Sequence, residues 1–522
     1  MDSKLFISTA AVALLGTGLT QCKPKEEKPM NVVFFLVDDL GWADIGCYGS
    51  SFYETPNIDS FAKEGVRFTN AYAACHVSSP SRASILTGKY PASINLTDWL
   101  PGRRDFSFQK LKNVPINQHL PYDGTTIPKV LQENGYRTAI FGKWHLGKDS
   151  LSTARQGFDL HVPEGWNEGW PNKGYFSPYG LEGLEDGPEG EYLTDRLTTE
   201  ALKYMEENKD QPFFLYLSHF AVHDPIEGRP DLVEKYKKKL EQTPEFQGAP
   251  FVLEGDPDNP AEETLTQVTH EGYRVFPDRT VKIKQRQDNV EFAAMVESMD
   301  ESFGRVLDKL KTLGIDDRTI VIFYSDNGGM AAANFYSPDR VIKENELDEA
   351  FSTSNLPLRG AKGWLYEGGI RVPLIVKWPG KSLQGLVCDV PVTGPDFFPT
   401  ILDMLGIQVK SGIKTDGVSF TPLLRGETKI DRDAIFWHFP HYSNHGMQSP
   451  GGAVRCGDYK LLEYYENNTV QLFNLKNDIA EQHDLAKSEP EMVNKLRDML
   501  HNWRKQVNAK MMDPNPEYKV TK

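Results

Sequence analysis

Cysteine is scarce in this chain. Its five residues, Cys22, Cys47, Cys75, Cys388 and Cys456, are scattered over 522 positions without a CxxC pair. A disulfide framework and a thiolate zinc site are therefore both disfavoured. Positive charge is also in deficit, with 58 Lys and Arg against 73 Asp and Glu and a net charge of -15. That balance argues against a protein that coats nucleic acid, which needs clustered cations to neutralise phosphates. It leaves room for a small anionic substrate, because a few cations in a cleft decide such binding. No G-x-S-x-G elbow is present to activate a serine directly, and no internal repeat is visible. What remains is an ordinary globular composition, 39% hydrophobic, long enough for roughly two to four domains or for one large α/β domain with a smaller partner.

Long apolar runs are missing except at the start, where Lys4 precedes an apolar stretch over residues 5–19. The stretch is short of the roughly 20 residues a membrane span needs. It ends in Leu19-Thr20-Gln21-Cys22 and is followed by a polar Lys/Pro/Glu segment. This resembles a bacterial lipoprotein signal, the other reading being an ordinary secretory signal with a chance cysteine. The lone Cys closing the run and the polar tether after it favour the lipoprotein, although Gln21 stands where a small residue is usual. The expectation is a signal peptide over residues 1–21, a tether over 22–30, and an exported protein held at the cell envelope, in the periplasm or on the surface, only by a lipid anchor.

From Asn31 onward, strand-like and helix-like segments alternate. Continuous apolar runs at residues 32–37, 138–141, 213–217, 319–324 and 372–376 fit strands buried on both faces of a mostly parallel sheet. Between residues 288 and 313, Phe292, Met295, Met299, Phe303, Val306, Leu307 and Leu310 recur at three- and four-residue spacing, and Gly314 marks a stop. Alternation of this kind implies an α/β sandwich with ligands at the carboxyl ends of the strands. The reading divides the chain into an α/β domain over 31–428 and a smaller subdomain over 429–522. The α/β domain carries a Pro- and charge-rich insertion over 224–287, in which Asp256 and Asp258 are read as a solvated loop in preference to a calcium site. The subdomain has antiparallel strands at 434–439, 460–465 and 470–475 and a final helix at 491–507.

The most specific segment is Ser78-Ser79-Pro80-Ser81-Arg82-Ala83-Ser84-Ile85-Leu86-Thr87-Gly88. A Ser-rich helix cap near Pro80 would account for Ser79 and Pro80 but not for the whole run. The run resembles the signature of the formylglycine-dependent (type I) sulfatases, arylsulfatase-like and of the Ser type. There a Cys or Ser followed by x-Pro-Ser-Arg is oxidised to formylglycine (3-oxoalanine). The register puts Ser78 at the modified position and leaves Cys75 as a buried small residue. Chemistry supplies a reason for the modification, since a serine hydroxyl without a base is a poor nucleophile. An aldehyde hydrate offers one hydroxyl to attack sulfur and a second whose deprotonation expels sulfate. A helix N-terminus favours the anion.

The resemblance covers most of the chain after Asn31 and implies an alkaline-phosphatase-like fold with a central mostly parallel sheet. Asp38-Asp39 and Asp326-Asn327 lie at the ends of two predicted strands. Either pair alone is commonly a cap or turn, but together, without His or Cys, their oxygens select a hard cation, calcium over magnesium by ligand number. They match the family's metal-binding pairs, with Ser78 as a further ligand. By the same resemblance, Arg82 stabilises the hydrate, and Lys143 and Lys362 clamp sulfate. His145 contacts formylglycine and serves elimination, and His223 protonates the leaving alcohol. His219 and Arg371 are read as structural. The Ser-type signature implies a radical, anaerobic maturase acting on Ser78.

Sugar recognition needs hydrogen-bonding and aromatic groups around a cleft. Candidates are Trp99, Arg103 and Arg104 in one loop, and His438, His441 and His445 in another. These segments most resemble bacterial carbohydrate sulfatases and suggest a sulfated glycan substrate, by analogy a 4-O-sulfated galactose or N-acetylgalactosamine. The alternatives are a phosphate or phosphonate ester hydrolase of the same superfamily, and an inactive glycan-binding lipoprotein in which Ser78 stays unmodified.

Overall fold

The computed structural model describes residues 28–122, 125–147, 152–164, 169–258, 281–334, 351–408, 412–446 and 448–519. The expected signal peptide, Cys22 and most of the tether lie outside the described residues. Among those described, no helix is long and apolar enough to cross a membrane.

Eight strands form the main sheet, in the order Val387–Cys388, Val66–Phe68, Leu374–Lys377, Thr319–Ser325, Asn31–Val37, Phe213–Ser218, Arg137–Gly142 and Leu160–Val162. The five strands from Thr319–Ser325 to Leu160–Val162 run parallel. All seven residues of the central strand Asn31–Val37 are buried, and its side chains alternate between two cores. Val33, Phe35 and Val37 face the long helix Val290–Thr312, whose Phe303 ring lies 5.0 Å from Phe35. Val32, Phe34 and Leu36 face the helices Ser78–Thr87 and Phe397–Met404, with Phe397 5.0 Å from Phe34. The long helix begins two residues after the expected start at 288, because Asn289 caps it, accepting backbone hydrogen bonds from Glu291 and Phe292 at 3.1 Å each.

Two expectations need correction. The apolar run at 372–376 forms the strand Leu374–Lys377, but it pairs antiparallel with both neighbours. A run buried on both faces looks the same in either direction, so its pattern carries no polarity. Asp256 and Asp258 are not a solvated loop. Both are buried: Asp256 accepts from Ser449 at 2.9 Å, and Asp258 from Thr469 at 2.7 Å and the Asn467 amide at 3.0 Å. The described part of the insertion, which includes the helix Pro230–Gln242 and the hairpin Phe251–Glu254 with Val281–Lys284, is thereby pinned to the C-terminal region.

That region is a four-stranded antiparallel sheet, Ala434–Phe439, Gly451–Cys456, Tyr459–Tyr464 and Val470–Asn474, against which the helix Pro490–Gln506 packs. The second of these strands was not anticipated, since it opens with two glycines, weak strand formers. They stand where backbones come close: a Cβ on Gly451 would lie 2.8 Å from the Glu463 carbonyl oxygen. Lys460 binds Glu367 at 2.9 Å and Glu481 at 2.8 Å, and Arg371 completes the buried cluster at 2.6 Å from Glu367. Arg371 is thus a structural ion-pair partner.

Candidate active site

Strand register brings the site together. Val37 pairs with Ser325, Leu36 with Ser218, and Gly142 with Ser218. The next residues, Asp38, Asp326 and Lys143, therefore emerge at one edge of the sheet. Asp39 adopts a left-handed conformation, φ 59°. Successive strand residues face opposite sides, and this bend lets adjacent carboxylates serve one site.

Ser78 opens the helix Ser78–Thr87 above that edge. Its Oγ donates to Asp38 Oδ1 at 3.2 Å, lies 3.5 Å from Asn327 Oδ1, and accepts from Lys143 Nζ at 3.0 Å. Lys143 Nζ also sits 2.6 Å from Asp38 Oδ2. One helical turn on, Arg82 Nε donates to Asp326 at 2.9 Å and a terminal guanidinium nitrogen lies 3.4 Å from Asp38. On the other side, Lys362 Nζ is 2.6 Å from Asp39 Oδ2 and 2.9 Å from His223 Nε2, while His223 Nδ1 is 2.6 Å from Asp224. Asn327 donates to Asp39 at 2.7 Å.

Three buried carboxylates thus face three buried cations. Burial pushes the Asp38 carboxyl up, but Lys143 and Arg82 outweigh it and hold it below its usual range. Burial and the neighbouring Asp38 raise Asp326. Burial and Lys362 press the His223 imidazole down, yet Asp39, Asp224 and Asp38 together raise it. Burial and Lys143 keep His145 well below its ordinary value. His145 Nε2 bonds the Leu100 carbonyl at 2.8 Å and Nδ1 has no hydrogen-bond partner; no hydrogen bond joins it to Ser78.

Ser78, His145, His223 and Lys362 line a cavity of about 740 Å³, together with Trp99, Trp170, Pro171, Asn172, Asp224, Asn334, Asn444 and His445. Of the six sequence candidates for sugar contacts, Trp99 and His445 line this cavity. The other four do not, because each is engaged within the protein. Arg103 and Arg104 lie over the Phe106 ring at 4.7 and 4.6 Å. His438 bonds Tyr465 and the Lys510 carbonyl, at 2.8 and 2.9 Å, and His441 bonds Thr97 at 2.8 Å. His219 is structural as expected, 2.9 Å from Ser302 and packed against Phe35.

The family model for sulfatases matches residues 30–407. The chain belongs to the sulfatase family. A second model, the C-terminal region of N-sulphoglucosamine sulphohydrolase, matches residues 361–508. A sulfatase of Formosa agariphila is 31% identical over 95% of this chain and 92% of its own length. The N-acetylglucosamine-6-O-sulfatase of Bacteroides thetaiotaomicron is 27% identical, over 98% and 93%. Among solved structures, Ps i-CgsB in complex with k-i-k-neocarrahexaose is 28% identical and superposes with a TM-score of 0.67, covering 91% of this chain and 93% of that one. The architecture is that of alkaline-phosphatase-like sulfatases.

As a sulfatase this chain is an enzyme, and its residues fit the divalent metal that the family generally uses. Asp38, Asp39 and Asp326 bring carboxylate oxygens within 4.8 Å of one another. With the Asn327 and Ser78 oxygens beside them, the donor set is all oxygen and suits a hard cation. Residues the sequence did not single out include Trp170, Asn172, Asn334 and Asn444. Trp170 and Asn172 were marked only by their places beside Gly169 and Pro171, a mark many loops share, and Asn334 and Asn444 carried no such mark. Gly169 allows the approach, since a Cβ there would meet the His145 ring at 2.7 Å.

Asp98, also missed, shapes the loop that presents Trp99. It accepts from the Trp99 amide at 2.8 Å and the Arg103 amide at 3.3 Å, and burial pushes its carboxyl up to about 7. Such a raised group favours the folded state most below its unfolded value, and the contribution is lost as pH rises toward 7. Asp98→Asn is therefore expected to flatten the stability profile. Between pH 4 and 7 the sulfatase should lose on the order of 2–4 kcal/mol relative to this variant, read by urea unfolding at each pH. Parallel profiles would refute the assignment.

Proposed function

We propose that this sulfatase hydrolyses sulfate monoesters of carbohydrates, using formylglycine made from Ser78 and a calcium ion held by Asp38, Asp39, Asp326, Asn327 and residue 78. The observation that carries the reading is the position of Ser78 Oγ. It lies at a helix N-terminus, 3.0 Å from Lys143 Nζ and 3.2 Å from Asp38, on the wall of the cavity. When present, formylglycine supplies the nucleophilic oxygen and the metal supplies charge opposite the sulfate.

The chain's own residues do the rest. Lys143 holds residue 78 against Asp38 and Arg82 anchors the Asp38 and Asp326 carboxylates beside it, while Lys143 and Lys362 provide cations for sulfate oxygens. His223, whose proton Asp39 and Asp224 favour, is the donor to the departing alcohol, with Asp224 on Nδ1 fixing the ring. His145, kept neutral by burial and with Nδ1 unpartnered, is suited to take the proton in the elimination of sulfate. The aromatic and amide groups of the cavity suit a sugar. The names of the relatives support the same class: an N-acetylglucosamine-6-O-sulfatase and, in Mus musculus, an N-acetylgalactosamine-6-sulfatase, 29% identical over 91% of this chain and 79% of that one. Export with lipidation at Cys22, and maturation by an anaerobic radical enzyme, belong to this proposal.

Two measurements test it. Mass spectrometry of the Ser78 peptide from the native host should find the loss of two hydrogens; intact serine would favour an inactive glycan binder. A panel of 4-O- and 6-O-sulfated galactose and N-acetylgalactosamine, with matched phosphate and phosphonate esters, should release sulfate in preference. Faster phosphonate hydrolysis would overturn the assignment, and the panel also decides whether the 4-O position is attacked.

A further inference from the structure

One wall of the cavity comes from the loop that follows the strand Ala434–Phe439, and its polar atoms are unanswered within the protein. Asn444 and His445 line the cavity and are each 4% exposed. Asn444 Oδ1 and both ring nitrogens of His445 have no hydrogen-bond partner. Buried polar side chains ordinarily find one. The fold holds them at this wall. His445 forms a β-bridge with Asn334, and the Gly446 amide donates to the Ala333 carbonyl at 3.0 Å. Gly363, directly after Lys362, has φ +85°, and a Cβ there would stand 2.3 Å from that of His445. Only glycine lets the imidazole come so close to the segment bearing Lys362.

The chemistry of this wall is neutral. Burial first, and then the charge of Lys362, keep His445 well below its ordinary value. It therefore offers one donor and one acceptor, and the Asn444 carboxamide likewise offers both. Such groups suit hydroxyls and acetamides and provide no counter-charge for a second anion. Asp224, on the same cavity, would repel one.

We propose, resting on the sulfatase reading of this site, that Asn444 and His445 recognise the uncharged sugar ring that carries the scissile sulfate. They do so by hydrogen bonds to the hydroxyl or acetamido group beside the sulfated carbon. The substrate class is then a singly sulfated neutral sugar, with Trp99 giving the ring an apolar face. A site built to bond a substrate hydroxyl discriminates strongly against analogues that lack it.

The test compares kcat/KM on a monosulfated N-acetylhexosamine with that on 4-nitrophenyl sulfate, which has no neighbouring hydroxyls. In Asn444→Ala and in His445→Ala the sugar-to-aryl ratio is expected to fall at least about tenfold, and in His445→Gln, which keeps a donor and an acceptor, to recover to within about threefold of wild type. Equal losses on both substrates would place these residues at the sulfate instead and overturn the proposal, as would an unchanged ratio. Saturation-transfer NMR with the desulfated sugar gives a readout without turnover: binding in wild type should be lost in His445→Ala. If no ester released sulfate while sugar binding and its loss were seen, the hydrolase reading would fail and only the recognition of a sugar ring by these two residues would stand. Sugar binding that survives both alanine changes would overturn it.

Discussion

Ser78→Ala is expected to lower sulfate release by at least about four orders of magnitude, because removal of a covalent nucleophile takes the whole chemical path with it. The fold should barely notice. Ser78 Oγ makes one bond to Asp38 at 3.2 Å and receives one from Lys143 at 3.0 Å. Lys143 keeps its 2.6 Å pairing with Asp38 when the hydroxyl is gone. The helix does not depend on this side chain either, since its N-cap is Val77 and no side-chain cap bond is present. The loss of stability should stay within about 1–2 kcal/mol, that of a neutral hydrogen bond. Urea unfolding and sulfate release on the same preparation check both halves. Wild-type turnover by Ser78→Ala would end the formylglycine proposal. A folded but silent variant that regains activity as Ser78→Cys, matured by a Cys-type system, would strengthen it.

The parts of the site that lie on regular structure were readable because strand ends converge. Once residues 319–324, 32–37, 213–217 and 138–141 are read as successive parallel strands, the polar residues that follow them must share an edge. Asp38, Lys143 and Asp326 do so through the Val37 to Ser325, Leu36 to Ser218 and Gly142 to Ser218 pairings. The helix carrying Ser78 and Arg82 was readable for a similar reason, as a four-residue spacing puts both side chains on one face. Direction was not readable for the strand Leu374–Lys377, since burial on both faces erases polarity from the pattern. Loop side chains failed differently. His438, His441, Arg103 and Arg104 carry the right chemistry for sugar contacts, yet Tyr465, Thr97 and Phe106 engage them first. Asn444 looks no different in sequence from any loop asparagine. Its distinction is that the loop is tied to the Ala333–Asn334 backbone, a contact between residues more than a hundred positions apart.

Asp326→Ala should be the most damaging single change, because it strikes stability and the metal set together. Arg82 and Asp326 are paired at 2.9 Å with 1% and 0% of their side chains exposed. Removing one partner of a buried pair costs about 3–5 kcal/mol, most of it the burden of the unpaired charge. Arg82 keeps Asp38 at 3.4 Å and Ser218 at 2.5 Å, which sets the loss toward the lower part of that range. Asp326→Asn separates the two effects. It retains an oxygen for the Asp39 amide, now 3.2 Å away, while one of the three converging carboxylate charges is lost. Metal binding can be read without turnover, since a ligand at 100 times its dissociation constant raises stability by about 2.7 kcal/mol. Chelator-treated protein is therefore expected to melt earlier and to recover on addition of calcium, and Asp326→Asn should respond to neither treatment. Activity should follow the same pattern, lost with the chelator and restored by calcium. Restoration by zinc alone would contradict the oxygen donor set, as zinc sites draw on His and Cys. A melting temperature in Asp326→Asn that still climbs with calcium as in wild type would remove this carboxylate from the metal site.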